Sequence, residues 1–279
     1  MGVFIEPPFW AQAYGQAVAP HAVSVRVTPV VTIVSSSVAN PSVLTTLVPH
    51  GLASGDTTTI AGHTGSTPAV DGSRVVTVLT PTTFSIPVSV SVGGAGGTVT
   101  RTAAADVLTL AEAKSYARLT DTSLDGLIPR FLATARAKVQ QDTGIILLAE
   151  TYDVFFDALP WDRTPIELLW RPVSAVLSVV SIDSAGAVQT LAVTNYVLDS
   201  SSEAPYPARL ALAIDGAWPT DLRPFQPYVI RLVAGYASVA LLPSALAHAV
   251  GLLISAHVNK DGLDEYEDTI APYRLVCVA

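Results

Sequence analysis

The residues best suited to bind a metal or move a proton in this 279-residue chain are its five histidines: His21, His50, His63, His248 and His257. A zinc-hydrolase helix carries two histidines four residues apart with a glutamate between them, and no pair here has that spacing. His248 and His257 lie nine residues apart on one expected helix, which does not suit one metal ion. We therefore expect the histidines to be core or interface residues.

The other motifs that could take part in binding or catalysis are equally weak evidence for a site. The glycine run GGAGG at 93–97 is not followed by Lys-Ser/Thr or by a helix, so a flexible hairpin loop is favoured over a phosphate cradle. The sequence contains no G-x-S-x-G nucleophile elbow. Asp153 and Asp157 could share one face of a strand, but nothing nearby in sequence would raise the pKa of either carboxyl, as a glycosidase requires. We therefore expect a protein that is not an enzyme.

An acidic cluster near the C-terminus is the remaining candidate for ion binding. Its members are Asp261, Asp264, Glu265, Glu267 and Asp268. Their spacing does not match an EF-hand loop, so we expect a solvated acidic turn. The single cysteine, Cys277, excludes an internal disulfide framework and a cysteine-based zinc site. No catalytic residue, metal site or cofactor is expected.

Composition narrows the class further. Half of the residues are apolar, only 14% are charged and the net charge is −8, which argues against a disordered tail and against a protein that neutralises phosphates. Pro7 and Pro8 stand where the apolar core of a signal peptide would run, so we expect no signal peptide. The long uncharged stretch 232–258 is broken by Gly235 and Pro243, so we expect no contact with a membrane.

Charge and residue type predict three units. Residues 1–106 hold 3 basic and 4 acidic residues, whereas 107–279 hold 12 and 19. Residues 1–22, with aromatic side chains among prolines and alanines, predict either an extended arm that orders against a neighbouring subunit or a disordered terminus. Residues 23–103 alternate as short Val/Thr/Ser strands between turn signals, which predicts a small all-β barrel or sandwich. Residues 104–279 combine helices and strands and end in a tail.

The helices of the last unit have clear boundaries. The segment TLAE at 109–112 is a capping box that predicts a helix start at Thr109. A second apolar stripe predicts a helix from about 123 to 143, which Gly144 ends and in which Pro129 requires a kink or a later start. Pro243 opens the last long helix. Alternating strands fill the segment between these helices.

Residues 107–279 also carry an ordered set of segments that resembles a known family. The segments are LTLAEAKSYARL, DTSLDGLI, FLATARAKVQQDTG, PIELLWRPVSAVLSVVSIDSAGAVQTL, NYVLD, ARLAL, the pair Trp218-Pro219, VIRLVAGY, LPSALAHAVGLLISAHV and APYRLV. In this order they resemble the head–tail connector (adaptor) family of tailed bacteriophages. The family usually has a longer charged run after its final helix, and here that run is short and acidic.

The earlier part of the chain carries a second resemblance. Residues 30–101 contain VPHGLASGD, TIAGHTG, VDGSRVVTV, TTFSI and GGTVTR. This set is similar to a small β-module that recurs in phage structural and tail proteins. Many connector-family members lack such a module, so here it is an N-terminal addition.

The resemblances imply a fold and a mechanical activity. The fold class is α+β, with helices packed on a small antiparallel β-domain and an N-terminal all-β module. Proteins of the family form a ring, dodecameric in the family, between the portal and the neck or tail, and serve as a conduit for DNA and a docking platform. The implied partners are the portal protein, a neck, tail-terminator or stopper protein, identical subunits, and genomic DNA in transient non-specific passage. The implied location is the virion neck, after synthesis in the host cytoplasm.

The expected contact residues follow from these implications. Aromatic and arginine side chains anchor interfaces, so the tail is expected to meet the portal or a neighbouring subunit, unless it packs on its own domain, through Ile270, Pro272, Tyr273, Arg274, Leu275 and Val276. The N-terminal arm would contact a neighbour through Phe4, Phe9, Trp10 and Tyr14. The acids of 261–268, or those of the strands at 153–167, would line the channel and repel DNA.

Two other functions compete with the connector. A tail-tip or baseplate module would contact host carbohydrate through an aromatic platform, but 30–101 has one aromatic residue, Phe84, at a core position. A cell-wall hydrolase would need a nucleophile or a carboxylate pair in a cleft, and the sequence offers neither.

Overall fold

A computed structural model describes residues 4–5, 23–27, 30–103, 106–160, 163–200, 207–261 and 263–274. The strands are β1 (Phe4–Ile5), β2 (Val23–Val27), β3 (Val30–Ser36), β4 (Ser42–Thr46), β5 (Thr57–Ala61), β6 (Gly72–Val75), β7 (Thr77–Thr80), β8 (Thr83–Ile86), β9 (Thr98–Ala103), β10 (Glu150–Phe156), β11 (Ile166–Leu168), β12 (Val173–Ile182), β13 (Val188–Thr190), β14 (Tyr196–Asp199), β15 (Ala208–Leu212) and β16 (Tyr228–Ala234). The α-helices are α1 (Leu110–Tyr116), α2 (Ile128–Thr143), α3 (Ser244–Asn259) and α4 (Leu263–Ile270). Single 3-10 turns lie at Val193–Asn195, Val239–Leu241 and Ala271–Tyr273.

The first unit is a seven-stranded antiparallel sheet in the order β6-β5-β9-β3-β4-β8-β7, which forms a nearly closed barrel. Alternation along β3 turns Val31 and Ile33 inward and leaves Val30 and Val34 exposed. Phe84 on β8 is fully buried in the same core, which confirms its expected position. The core of this sheet is separate from the cores of the rest of the chain.

The second unit is built on a six-stranded sheet in the order β1-β2-β10-β16-β12-β13. Strand β2, which the sequence analysis grouped with the module, pairs with β10 in this sheet, from Thr151↔Val27 to Phe155↔Val23. Its alternating valines predict a strand but cannot identify the partner, which is 120 or more residues away. A three-stranded sheet, β11-β15-β14, packs on this sheet through a shared apolar core that includes Tyr196, Leu210 and Ile230.

The helices form a third core at one end of this sheet. Thr109 caps α1 and forms the predicted capping box with Glu112. Helix α2 begins at Ile128, later than the apparent sequence start, because Pro129 fits only in the first turn. Gly144 ends α2 in the left-handed conformation, with φ 68°, as predicted. Ser244 is the first residue of α3, one residue after Pro243.

A close approach fixes α1 against α3. A Cβ atom at Gly251 would lie 2.5 Å from Cε1 of Tyr116, so only glycine lets the tyrosine ring lie across the helix. The hydroxyl of Tyr116 is 3.0 Å from Nδ1 of His248 on the same helix. The three sheets and four helices formed by the described residues confirm the α+β class, with helices on an antiparallel β-domain and an all-β N-terminal sheet.

Buried contacts join the module to the second unit. Arg101 on β9 donates from Nη1 to the backbone oxygen of Ala149 at 2.9 Å and lies 3.4 Å from Oδ2 of Asp56. The backbone nitrogen of Ser54 donates to the oxygen of Ala237 at 2.7 Å. Ala53, Ala149 and Val233 form a small apolar cluster between these bonds. The module is therefore held to the β-domain by side-chain, backbone and apolar contacts.

Candidate interaction surfaces

The described histidines have structural partners, as expected of core or interface residues. In the module, the backbone nitrogen of Leu52 donates to Nδ1 of His50, which leaves Nε2 to donate to the oxygen of Thr80 at 3.1 Å. This pattern requires neutral His50, and burial lowers the pKa of its ring below the ordinary 6.5. His248 lies between Tyr116 and Glu265, with Nε2 3.3 Å from the carboxylate of Glu265.

The glycine run at 93–97 packs tightly against the module, which corrects the expectation of a hairpin loop. Nδ1 of His63 donates to the oxygen of Gly96 at 2.7 Å, and the nitrogen of Gly94 donates to Oγ of Ser36 at 2.9 Å. A Cβ atom at Gly94 would lie 2.6 Å from the nitrogen of Ser66. The glycines are therefore needed for close backbone approach, a tertiary reason that local sequence does not reveal.

Asp153 on β10 and Asp157 just after it have structural roles. Asp153 accepts two bonds from Arg231 on β16, from Nε at 2.6 Å and from Nη2 at 2.7 Å, and this bidentate pair raises the pKa of the guanidinium. Oδ1 of Asp157 accepts a bond from the backbone nitrogen of Gln226 at 2.9 Å. Asp153 thus binds the middle of β16, and Asp157 binds the segment just before it.

The predicted C-terminal contact residues are divided by the structure. Ile270 is fully buried in the helical core, one turn after Tyr266, so it is not a surface residue; the i, i+4 spacing turns both side chains inward. Pro272 is exposed, Tyr273 is half-buried against the same core, and Nη2 of Arg274 donates to Glu267. Leu275 and Val276 lie outside the described residues.

The acidic cluster lies on and beside a helix instead of in a turn, because its apolar residues follow a helical spacing. Helix α4 buries Tyr266 and Ile270 and exposes the acids on its other faces. Oδ1 of Asp261 accepts a bond from Ser255 Oγ at 2.6 Å, and Oδ2 of Asp142 accepts one from Tyr266 Oη at 2.6 Å. Burial and this bond raise the pKa of Tyr266 well above its ordinary value. Glu265 lies beside His248 and Glu267 pairs with Arg274, and Asp264 and Asp268 are exposed on the outer face of α4.

The N-terminal contact residues are mostly outside the described part of the chain. The backbone of Phe4 and Ile5 forms β1, which pairs with β2 at the edge of the six-stranded sheet. Phe9, Trp10 and Tyr14 lie outside the described residues. The arm is therefore connected to the same sheet that carries β10 and β16.

An apolar cleft lies between the module and the β-domain, and the sequence analysis did not predict it. Its volume is about 220 Å³, and its walls include Leu79 and Pro81 from the module and Ala175, Val233 and Leu241 from the second unit. Leu79 is 53% exposed and Leu241 is 64% exposed. The described residues that line it include no Asp, Glu, Lys or Arg.

A second unpredicted feature is the turn at 213–216, after β15. Ile214 is 90% exposed, the highest value of any large apolar side chain in the described ranges. Nη2 of Arg163 donates to the oxygen of Ala213 and to that of Ile214, the latter at 2.6 Å. The sequence signal was available: Ile214 directly precedes Asp215-Gly216, a turn dipeptide that leaves its neighbours at the surface.

Two classes of site receive no support from the structure. No group of three or more His, Cys, Asp or Glu side chains that could hold a metal ion occurs within the described ranges. Of the helices formed by those residues, none has the length and apolarity needed to cross a bilayer.

Comparisons with known proteins show which fold this is. No family model matches the chain, and no curated protein matches it significantly. A chain from the neck of an empty gene transfer agent (GTA) particle, computed with C6 symmetry, is 24% identical with a TM-score of 0.51; the match covers 62% of this chain and 92% of that one. A chain from the virion of a native GTA particle is 24% identical with a TM-score of 0.49, and the match covers 62% of this chain and 92% of that one. A chain from the neck of a native GTA particle, computed with C12 symmetry, is 23% identical with a TM-score of 0.48, and the match covers 63% of this chain and 96% of that one. The first match shows a shared fold, and more than a third of this chain lies outside it.

Proposed function

We propose that this chain is a structural, non-enzymatic protein of a phage-like virion neck, which forms a ring between the portal and the tail. The observation that carries the proposal is the fold shared with a neck chain of the GTA particle over 92% of that chain. The ordered segments of 107–279 support the same function independently, since they resemble the head–tail connector family. The specific connector role, the partners and the copy number belong to this proposal.

The charge distribution fits a conduit for DNA. The net charge is −8, and the exposed acids of α4 concentrate negative charge on one surface. A negative lumen repels the phosphate backbone, so that a duplex passes without binding. Asp264 and Asp268, which are i, i+4 neighbours on α4 and exposed, are the best candidates to face the channel.

The proposed partner surfaces lie at the two chain ends. Pro272, Tyr273 and Arg274 follow α4 directly and provide an apolar, aromatic and basic docking point for the portal. The arm near β1 is placed beside the edge of the six-stranded sheet, where it can contact the neighbouring subunit. The next neck or tail protein would bind the opposite side of the ring.

Labelling of whole particles tests the location. An epitope tag can be inserted at Gly186, in the exposed turn between β12 and β13, where an added Cβ would meet nothing within 4 Å. Gold-labelled antibody is expected at the junction of capsid and tail. Label at the distal end of the tail would instead support the baseplate alternative. Intact particles that bind no antibody would contradict a virion role.

A further inference from the structure

The turn that carries Ile214 is built as a rigid projection. The oxygens of Ala213 and Ile214 accept bonds from Arg163, and the nitrogen of Ala213 donates to the oxygen of Asn195 at 2.9 Å. A Cβ atom at Gly216 would lie 3.1 Å from the carbonyl carbon of Asn195, so the turn packs closely on the start of β14. A turn whose backbone is already ordered loses little conformational entropy when its side chain binds.

The cleft between the module and the β-domain has the complementary properties. Its volume of about 220 Å³ is below the roughly 300 Å³ of small-molecule pockets, but it is sufficient for a branched aliphatic side chain. Leu79 and Leu241 leave much of their apolar surface in solvent at its rim. Apolar surface exposed around a groove is typical of an interaction site.

The projection and the cleft lie at opposite ends of β16. Oη of Tyr228, the first residue of β16, donates to the oxygen of Pro219, which follows the turn by a few residues. Val233 and Ala237 line the cleft at the other end. Five residues of strand span about 17 Å. One chain therefore cannot place its Ile214 in its own cleft.

We propose that Ile214 of one copy inserts into the cleft formed by Leu79, Ala175 and Leu241 of the next copy. Because the two surfaces differ and lie at opposite ends, the contact is heterologous and propagates from copy to copy. Two copies of an acidic protein can meet at this contact without bringing like charges together inside the cleft, because no Asp, Glu, Lys or Arg among the described residues lines it. Closure into a ring rests on the proposed function, whereas the contact itself does not.

Self-association of the full chain, measured without portal or other virion proteins, tests the contact. Ile214→Asp and Leu241→Asp place a charge on the projection and in the cleft, at positions that are exposed in the monomer. Each is expected to weaken association by about 10- to 100-fold, as follows from losing one buried aliphatic side chain. Val188→Asp and Val38→Asp, at valines that are 64% and 65% exposed and lie outside both surfaces, are the controls and are expected to associate like the wild type.

Mixing the two defective variants gives the most specific result. Ile214→Asp retains a cleft and Leu241→Asp retains a projection, so native mass measurement of the mixture is expected to show a 1:1 dimer and nothing larger.

A wild-type chain that stays monomeric at all concentrations would overturn the proposal, as would variants that assemble normally or a mixture that forms no dimer. Assembly retained in both variants with loss of portal binding would identify the portal as the occupant and also overturn it. Particle labelling at the neck is independent of these outcomes, so failure of this contact is distinguishable from failure of the proposed function.

Discussion

Arg101 of the module lies with its Nη1 2.9 Å from the backbone oxygen of Ala149, the residue that immediately precedes β10. The guanidinium side chain is 5% exposed and the carboxylate of Asp56 beside it is 1% exposed. A buried cation thus connects two sheets that have separate cores. Arg101 is therefore one of the contacts that hold the module to the rest of the chain.

Replacement of Arg101 by methionine is expected to lower the free energy of unfolding by about 3 kcal/mol, because it leaves Asp56 buried without the charge of its partner. Urea denaturation measures the change. Arg74→Met is the control: Arg74 is half-buried and donates to backbone oxygens at the module surface, so its loss is expected to cost less than about 1 kcal/mol. Equal costs for the two variants would contradict the role of Arg101 at the junction.

His50 is expected to make the module sensitive to acid. Burial lowers the pKa of His50 in the folded protein below 6.5, so the unfolded chain binds a proton more readily than the folded one. This stability contribution is therefore complete above about pH 6.5 and is lost as the pH falls below it. NMR titration of the His50 ring is expected to give a midpoint below 6.5.

The same effect can be checked by denaturation. The stability advantage of the wild type over His50→Gln is expected to be smaller at pH 5 than at pH 7.5. An NMR midpoint at or above 6.5, together with a constant advantage, would show that the ring is not held in its neutral form.

Two truncations separate folding from docking at the C-terminus. Removal of 270–279 takes away Ile270, which is fully buried in the helical core, and is expected to destabilise the protein by about 2–5 kcal/mol. Removal of 275–279 alone keeps Ile270 and the proposed docking point at Pro272, Tyr273 and Arg274, so it is expected to destabilise the protein less than the longer truncation and to leave portal binding intact. A shorter truncation that folds but no longer binds portal would contradict docking at 272–274.

Charge reversal on α4 tests the proposed lumen. Asp264→Lys with Asp268→Lys is expected to leave assembly intact, since both acids are exposed, and to slow DNA ejection because lysines attract phosphate. Timed ejection from particles that carry the double variant provides the measurement. Asp221→Lys, at an exposed acid outside α4, is the control. Ejection at the wild-type rate would remove α4 from the channel.

Local signals in the sequence predicted the start of α1 and the end of α2, but not the start of α2 or the existence of α4. The capping box at Thr109 and the helix end at Gly144 depend on residues within one turn of the helix end, so they can be predicted without tertiary information. The core position of Phe84 followed in the same way from strand alternation. The fold class was predictable because both periodicities were clear and the segment order resembled a known family.

Features that depend on distant residues were not predictable. Strands β2 and β10 pair although the whole module separates them in sequence. The packing of 93–97 depends on His63 and Ser36. The inward position of Ile270 depended on recognising 263–270 as a helix despite its many acids. The cleft and the Ile214 projection arise from the relative placement of sheets, which no single segment specifies.

The native mass of this protein co-expressed with its portal protein tests the central claim most directly. A complex with equal copies of both proteins, in a number that matches a closed ring, is the result expected of a connector. Separate species, with this protein folded and alone, would contradict the connector role.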